Sequence, residues 1–280
     1  MLFFRRGPVV PVLRFAGPIG MVTPLRPGLA LASVAGAIEK AFAASKLPSV
    51  AVLVNSPGGS PVQSHLIFGR IRQLAAEKRK RVYVFCEDVA ASGGYFLALA
   101  GDEIYADPSS IVGSIGVISA SFGLNRLIER YGIERRVYTA GKDKGALDPF
   151  QPERAEDIER LKELQRNVHD VFIGVVRERR GSKLKGADED LFSGTFWSAA
   201  KALELGLIDG IADLRSKMQE LHGEKVRLRA IPMAPSGLFA RFRRIPGLAG
   251  GGEGFAFPGS FADDLLSTVE ARALWSRFGF

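Results

Sequence analysis

The feature that most constrains this chain is a pattern used twice: a short β-rich run, ending in a glycine-bearing turn, gives way to helical spacing. Val50–Val54 is apolar at every position and ends in Asn55-Ser56-Pro57-Gly58-Gly59-Ser60, after which a helix pattern runs from Val62 to Ala76. Arg81–Phe85 reads as a second buried strand, followed by a turn and a helix beginning near Ala91. Strands apolar on both faces belong to parallel sheets covered by helices. Strand, turn and helix at this spacing imply right-handed crossovers, so an α/β fold with a parallel sheet and flanking helices is predicted.

The neighbouring segments fit that scheme. Val9–Phe15 reads as a strand, and Leu31–Ser45 as a helix with Val34, Ile38, Ala41 and Phe42 at helical spacing. Asp102–Ala106 and Ile115–Ser119 read as further strands, and a helix over Leu124–Tyr131 leads to one more that ends at Val137. From Glu153 to about Arg179 a long charged helix carries Ile158, Leu161, Leu164, Val168, Val171 and Phe172 on one stripe. Shorter helices follow at Ser198–Leu205 and Leu214–Leu221. Beyond Pro232 the composition changes: Gly247–Gly259 is glycine-rich and flexible by composition, and Phe261–Phe278 could form a docking helix. The expected division is one domain over residues 1–223, with its core at 10–215, and a basic, Gly/Phe-rich tail over 224–280.

Composition removes several classes of function. The 280 residues suffice for a substantial core. Cys86 is the single cysteine, so an intramolecular disulfide and a thiolate metal cluster are both excluded. Its apolar neighbours make it a buried structural residue. The net charge of +8 is concentrated late in the chain: Lys225, Arg227, Arg229, Arg241, Arg243 and Arg244 face one acid, Glu224, before Pro246. No zinc-finger spacing or RNA-binding signature accompanies them, so nucleic acid is not the expected partner. The first residues are interrupted by arginine and proline and do not form a secretory signal. The most apolar stretch, Gly28–Ile38, is far shorter than the roughly 20 residues a spanning helix needs. A cytoplasmic protein without a membrane span is expected.

Both glycine turns follow buried strands, and ligands in such sheets bind beyond the carboxyl ends of the strands. The glycines of the first turn permit positive φ, and their N–H groups could polarise a carbonyl oxygen. That turn also reads as a plain connection with Ser60 as helix cap, and it lacks the GK[ST] ending of a phosphate loop. In the second, Ala90-Ala91-Ser92-Gly93-Gly94-Tyr95, Ser92 reads either as a cap or as a nucleophile aided by the helix end and the Gly93 N–H. A nucleophilic serine needs a base. His65 and His169 fall inside helices and His222 closes another, so all three read as helix-face residues. A lysine can serve if its pKa falls by about three units, which requires about 4 kcal/mol of differential stabilisation. The segment Ala140–Ala146 supplies two candidates, Lys142 and Lys144.

Four motifs in order carry a resemblance. SPGG, ASGGYF, GSIGV at Gly113–Val117 and GKDKGALDPF at Gly141–Phe150 are similar to those of the Ser-Lys signal peptide peptidase family, also called protease IV. The later segment Ser193–Asp213 resembles the family's GR-x-(W/F)-(S/T)-x-x-x-A-x-x-x-GL-(V/I)-D signature, with Gly194 but without the arginine. The resemblance covers roughly residues 10–215. It implies a Clp-protease/crotonase-like fold of repeated ββα units plus a helical extension, and endopeptidase activity on hydrophobic peptides. It also implies Ser92 as nucleophile, Lys144 rather than Lys142 as base, and Ser114 as the serine that orients the lysine amine. Gly58 or Gly59 together with Gly93 would form the oxyanion hole. No metal, nucleotide or organic cofactor is implied, and related proteins assemble as homo-oligomers.

This chain departs from the family pattern in places. Asp143 precedes the lysine where the family often has an aromatic residue, and pairing with Lys142 would turn it outward. The membrane anchor common in the family is not expected here. The basic, Phe-bearing segment Leu238–Ile245 suggests peripheral contact with an anionic bilayer, and reads equally as a solvated or subunit-docking tail. A crotonase-like acyl-CoA enzyme or a non-catalytic scaffold could share the fold. Neither glycine turn carries the acidic residue expected of the former.

Overall fold

The computed structural model describes residues 7–20, 28–233, 268–269 and 271–280. In chain order the elements are β1 (Val9–Ala16), α1 (Leu31–Ala43), β2 (Ser49–Ser56), α2 (Pro61–Lys78), β3 (Arg81–Ala91), α3 (Gly93–Ala98), β4 (Glu103–Ala106) and β5 (Ile111–Gly113). They continue with α4 (Asn125–Arg130), α5 (Ala155–Arg180), α6 (Asp188–Leu191), β6 (Phe196–Ser198), α7 (Ala199–Glu204), β7 (Gly210–Ile211), α8 (Leu214–His222) and β8 (Arg227–Ala230). The sheet runs β6-β5-β3-β2-β1-β8, with β4 pairing both β3 and β7. Every pairing is parallel except β5 with β6. The predicted α/β architecture, a mostly parallel sheet flanked by helices, is the observed one.

The apolar strands bury both faces by simple alternation. Leu13, Phe15, Val50, Val52, Val54, Val82 and Val84 point into the main core, which α1, α2, α3 and the second half of α5 complete. Val10, Val12, Ala51, Tyr83 and Phe85 point the other way, onto Met218 of α8. Helix α2 shows why its ends lie where they do. Ser60 caps it by accepting from Gln63 N, Pro61 opens it, and Arg79 closes it in the left-handed conformation.

Strand β3 is the element that sets up the site. Tyr83–Cys86 pairs with β4, and Val89–Ala91 pairs instead with β5, so the sheet forks along its length. A register shift against β2 sits at the fork, between Val54 and Ser56. The Asn55 side chain fills it, bonding Asp88 and accepting from Val89 N at 3.3 Å. Bulges of this kind re-aim the chain beside active sites.

Several expectations are corrected. The strand predicted at Ile115–Ser119 lies earlier, at Ile111–Gly113, and no strand ends at Val137. No residue from 116 to 156 is buried, so this stretch, α4 included, is an arm outside the core. Residues expected to belong to the tail contribute β8, which pairs with β1 at the sheet edge. Residues 271–276 are helical, whereas Leu238–Ile245 and Gly247–Gly259 lie outside the described residues. Among the described residues, no helix is long and apolar enough to cross a membrane.

Candidate active site

Ser92 stands between β3 and α3 with φ 53° and ψ −123°, a conformation that glycine tolerates and a serine adopts at a cost of about 1–3 kcal/mol. Its side chain makes no capping bond, so the helix-cap role open to it in the sequence is unused. The backbone is held from both sides: Ser92 N donates to Gly113 O at 2.8 Å, and Phe96 N donates to Ser92 O at 3.0 Å. A sharp strand-to-helix turn of this type lifts a hydroxyl clear of the sheet.

Ser114 lies next to it because β5 is the strand paired with the end of β3, with Ala91 opposite Gly113. Ser114 is buried, also has positive φ (55°), and donates its N–H to Thr195 O at 2.7 Å. Ser92 and Ser114 line one cavity together.

The SPGG turn packs directly against Ser92. A Cβ on Gly58 would come within 2.7 Å of Ser92 Cβ, and a Cβ on Gly93 within 3.3 Å of Gly59 N. The donors differ in availability. Gly58 N is committed to Ser56 Oγ at 3.2 Å. The bridge between this turn and Ile19 uses Gly58 O and Ser60 N, which leaves out the Gly59 N–H. Gly93 opens α3, so its N–H is among the helix's unpaired first-turn donors.

Two cavities meet at Ser92. One, of about 430 Å³, is lined chiefly by apolar groups, including Val62, Leu66, Phe96, Val168, Val171 and Phe172. The other, of about 390 Å³, is more polar and includes Ser114, His169, Ser193 and Arg277. Sequence reasoning places Val168, Val171 and Phe172 on an apolar stripe and His169 on a helix face, and it passes over Arg277 as a site residue. The stripe on α5 was visible, yet only Phe172, Val175 and Val176 of its apolar side chains enter the core. Val168 and Val171 stay exposed because they wall the cleft. His169 Nε2 lies 3.1 Å from Ile115 O and ties α5 to the segment after Ser114, and His65 lines the apolar cleft.

Lys144 is not brought to Ser92 within the chain. It is exposed and lines neither cavity. Its turn is tied to the first half of α5 through Asp143 and Arg160 at 2.7 Å, about two and a half helical turns before His169. Asp143 thus pairs with Arg160 and not with Lys142. The Arg160 hydrogen bond holds its carboxyl below the usual range.

Residues 75–227, more than half of the chain, match peptidase family S49. The chain belongs to this family. A serine protease of Arabidopsis thaliana chloroplasts, named SPPA, is 30% identical over 73% of this chain and 31% of its own length. A Synechocystis protein with a protease name is 33% identical over 66% of this chain and 68% of its own. Brucella abortus and Brucella melitensis proteins named Na(+)/H(+) antiporter NhaA are 56% identical over 96% of this chain. This S49 chain spans 37% of their length, so that name describes proteins of which it resembles a part.

Proposed function

We propose that this chain is a serine peptidase that cleaves apolar peptides through an acyl-enzyme, with Ser92 as nucleophile and Lys144 as base. The observation that carries this is the strained, uncapped Ser92 at the junction of two cavities. In the mechanism, neutral Lys144 takes the Ser92 hydroxyl proton as Oγ attacks the scissile carbonyl. The N–H groups of Gly59 and Gly93 receive the developing oxyanion. Lys144 then gives the proton to the leaving amine, and water activated by the same lysine releases the acid. Ser114 orients the lysine amine, and the cleft walled by Val62, Leu66, Val168 and Val171 takes an apolar side chain.

Because Lys144 lies apart from Ser92 in one chain, the reading places it at Ser92 of a second copy in a homo-oligomer. The arm that bears it exposes Ile118, Phe122, Leu127, Tyr131, Ile133 and Tyr138, an apolar surface that assembly would cover. Covering the amine would favour its neutral form. Asp143, occupied by Arg160, is held from pairing with it.

The test is labelling with a fluorophosphonate probe together with hydrolysis of an apolar peptide. Wild type should label and Ser92→Ala should not. Lys144→Ala should abolish turnover while Lys142→Ala keeps it; the reverse pattern would move the base to Lys142. Mixing inactive Ser92→Ala with inactive Lys144→Ala should restore part of the activity if the lysine acts across subunits. No restoration in mixed oligomers would place both groups in one chain. Peripheral membrane contact through Leu238–Ile245 belongs to the same reading. Liposome co-sedimentation unchanged by deleting residues after Pro232 would remove it.

A further inference from the structure

The more polar cavity at Ser92 has one formally charged lining side chain, Arg277, near the end of the described chain. No carboxylate pairs with it among the described residues, and its guanidinium carbon lies 5.9 Å from the centroid of the Phe278 ring. Its placement is built. The adjacent Phe278 is buried against Val89 and Ala91 of β3, with Ile111 and Trp275 packed around them. Its ring meets Phe196 of β6 edge-on, with centroids 5.0 Å apart. Phe278 N also donates to Trp275 O at 2.9 Å, which closes the turn that presents Arg277. The strands that position Ser92 and Ser114 therefore also form the seat for the residue beside Arg277.

An unpaired guanidinium presents a planar fork of donors that matches a carboxylate, and in a cleft its charge raises the local concentration of anions. A peptide carries that group at its C-terminus or on an acidic side chain. We propose that this cavity is a carboxylate subsite in which Arg277 binds a carboxylate of the substrate, while the apolar cleft across Ser92 takes an aliphatic or aromatic side chain. This rests on the serine-peptidase reading and adds a substrate class to it: short apolar peptides bearing a carboxylate close to the scissile bond.

The test uses the full chain and three apolar peptides of one sequence: a free C-terminal acid, the C-terminal amide, and an amide with one aspartate near that end. Wild type should cleave the acid with kcat/KM about tenfold or more above the plain amide. Arg277→Ala should remove that preference while leaving amide cleavage and fluorophosphonate labelling within about twofold. Phe278→Ala should weaken the preference by releasing the seat. If the aspartate peptide matches the acid, side-chain carboxylates are accepted; if it matches the amide, the chain terminus is read. Equal wild-type rates on acid and amide, or an equal loss on both in Arg277→Ala, would overturn the subsite. A second arm does not depend on catalysis. Anisotropy titration of the labelled peptides into Ser92→Ala should show tighter binding of the acid, lost in the double variant with Arg277→Ala. Discrimination there without hydrolysis would sink the peptidase reading and keep the subsite.

Discussion

Gly58→Ala isolates the contact between the SPGG turn and Ser92, the proposed nucleophile. At φ +105° an alanine is strained, at a cost of about 1–3 kcal/mol. Its Cβ would also sit 2.7 Å from Ser92 Cβ, 2.9 Å from Gly93 N and 3.0 Å from Ala91 O. None of these is the end of a flexible side chain, so the backbone around Ser92 must give. The nearest contact is about 0.7 Å short of ordinary van der Waals separation. Misplacing a reacting group by about 1 Å costs on the order of a hundredfold in rate. The expected loss in kcat/KM is therefore about thirty- to a hundredfold.

The strain also lowers the melting temperature, by roughly 2–12 °C at about 2–4 °C per kcal/mol for a domain of this size. The assay is peptide hydrolysis and the rate of fluorophosphonate labelling, both run well below the variant's melting temperature. Gly36→Ala on the exposed side of α1 serves as control. Nothing lies within 4 Å of its new Cβ, so it should stabilise slightly and leave activity intact. A folded Gly58→Ala with more than a third of wild-type activity would refute the view that this turn fixes the nucleophile.

Other perturbations test the frame around the site. Asp209→Ala should cost about 3–5 kcal/mol, because the Arg180 side chain, 2% exposed, would keep its charge without its partner at 2.8 Å. Burial alone would raise the Asp209 carboxyl, but hydrogen bonds from Arg180 and Lys183 prevail and hold it below its ordinary 3.8. Its stabilisation is thus complete above about pH 4 and is lost as pH falls through the lower folded value. Melting curves of wild type and variant should converge only in that acid range; a gap that closes near neutrality would exclude this origin. The buried Nε2 of His222 has no hydrogen-bond partner, and burial keeps the imidazole neutral below its ordinary 6.5. The unfolded chain therefore takes up the proton first, and stability should decline below about pH 6.5. His222→Leu should flatten that limb, and an unchanged slope would show that another group drives it.

The strands that hold the site were legible because burial on both faces leaves a plain mark: Val50–Val54 and Arg81–Phe85 have no polar interruption after their first residue. Ile115–Ser119 misled because its apolar residues serve different surroundings. Ile115 is buried in the core, and Ile118 faces outward on the arm. The strand expected to end at Val137 misled for the same reason, since Val137 is exposed; periodicity records an apolar surface but not what covers it. Strand β8, Arg-Leu-Arg-Ala, reads as tail because its charges dominate its composition, yet an edge strand is where such charges are tolerated. In the site, glycine turns pointed to Ser92, Gly58, Gly59 and Gly93, since close backbone approach requires those residues. Motif resemblance named Lys144, but no local pattern says that it lies on an exposed arm outside the cavities at Ser92. Arg277 was illegible because its position depends on where Phe278 packs, some 185 residues from Ser92 in sequence.

Two serines with positive φ, Ser92 at 53° and Ser114 at 55°, stand side by side at the ends of β3 and β5. Each is kept there by a hydrogen bond from its own N–H, Ser92 to Gly113 O and Ser114 to Thr195 O. A fold that wanted only a turn at these points would place glycine there, as it does at Gly113 between them (φ +117°). The strain that serine carries there relative to glycine can be measured. Ser92→Ala and Ser92→Gly should both abolish labelling, but the glycine variant relieves the backbone. Relief of about 1–3 kcal/mol, less the 0.5–1 kcal/mol of extra unfolded-state freedom that glycine brings, leaves a net gain of about 1 kcal/mol. Ser92→Gly should therefore melt about 2–4 °C above Ser92→Ala. Ser114→Gly should show the same direction against Ser114→Ala. Equal melting temperatures within each pair would mean that no strain is stored at these serines, and the structural case for Ser92 as a held nucleophile would lose its footing.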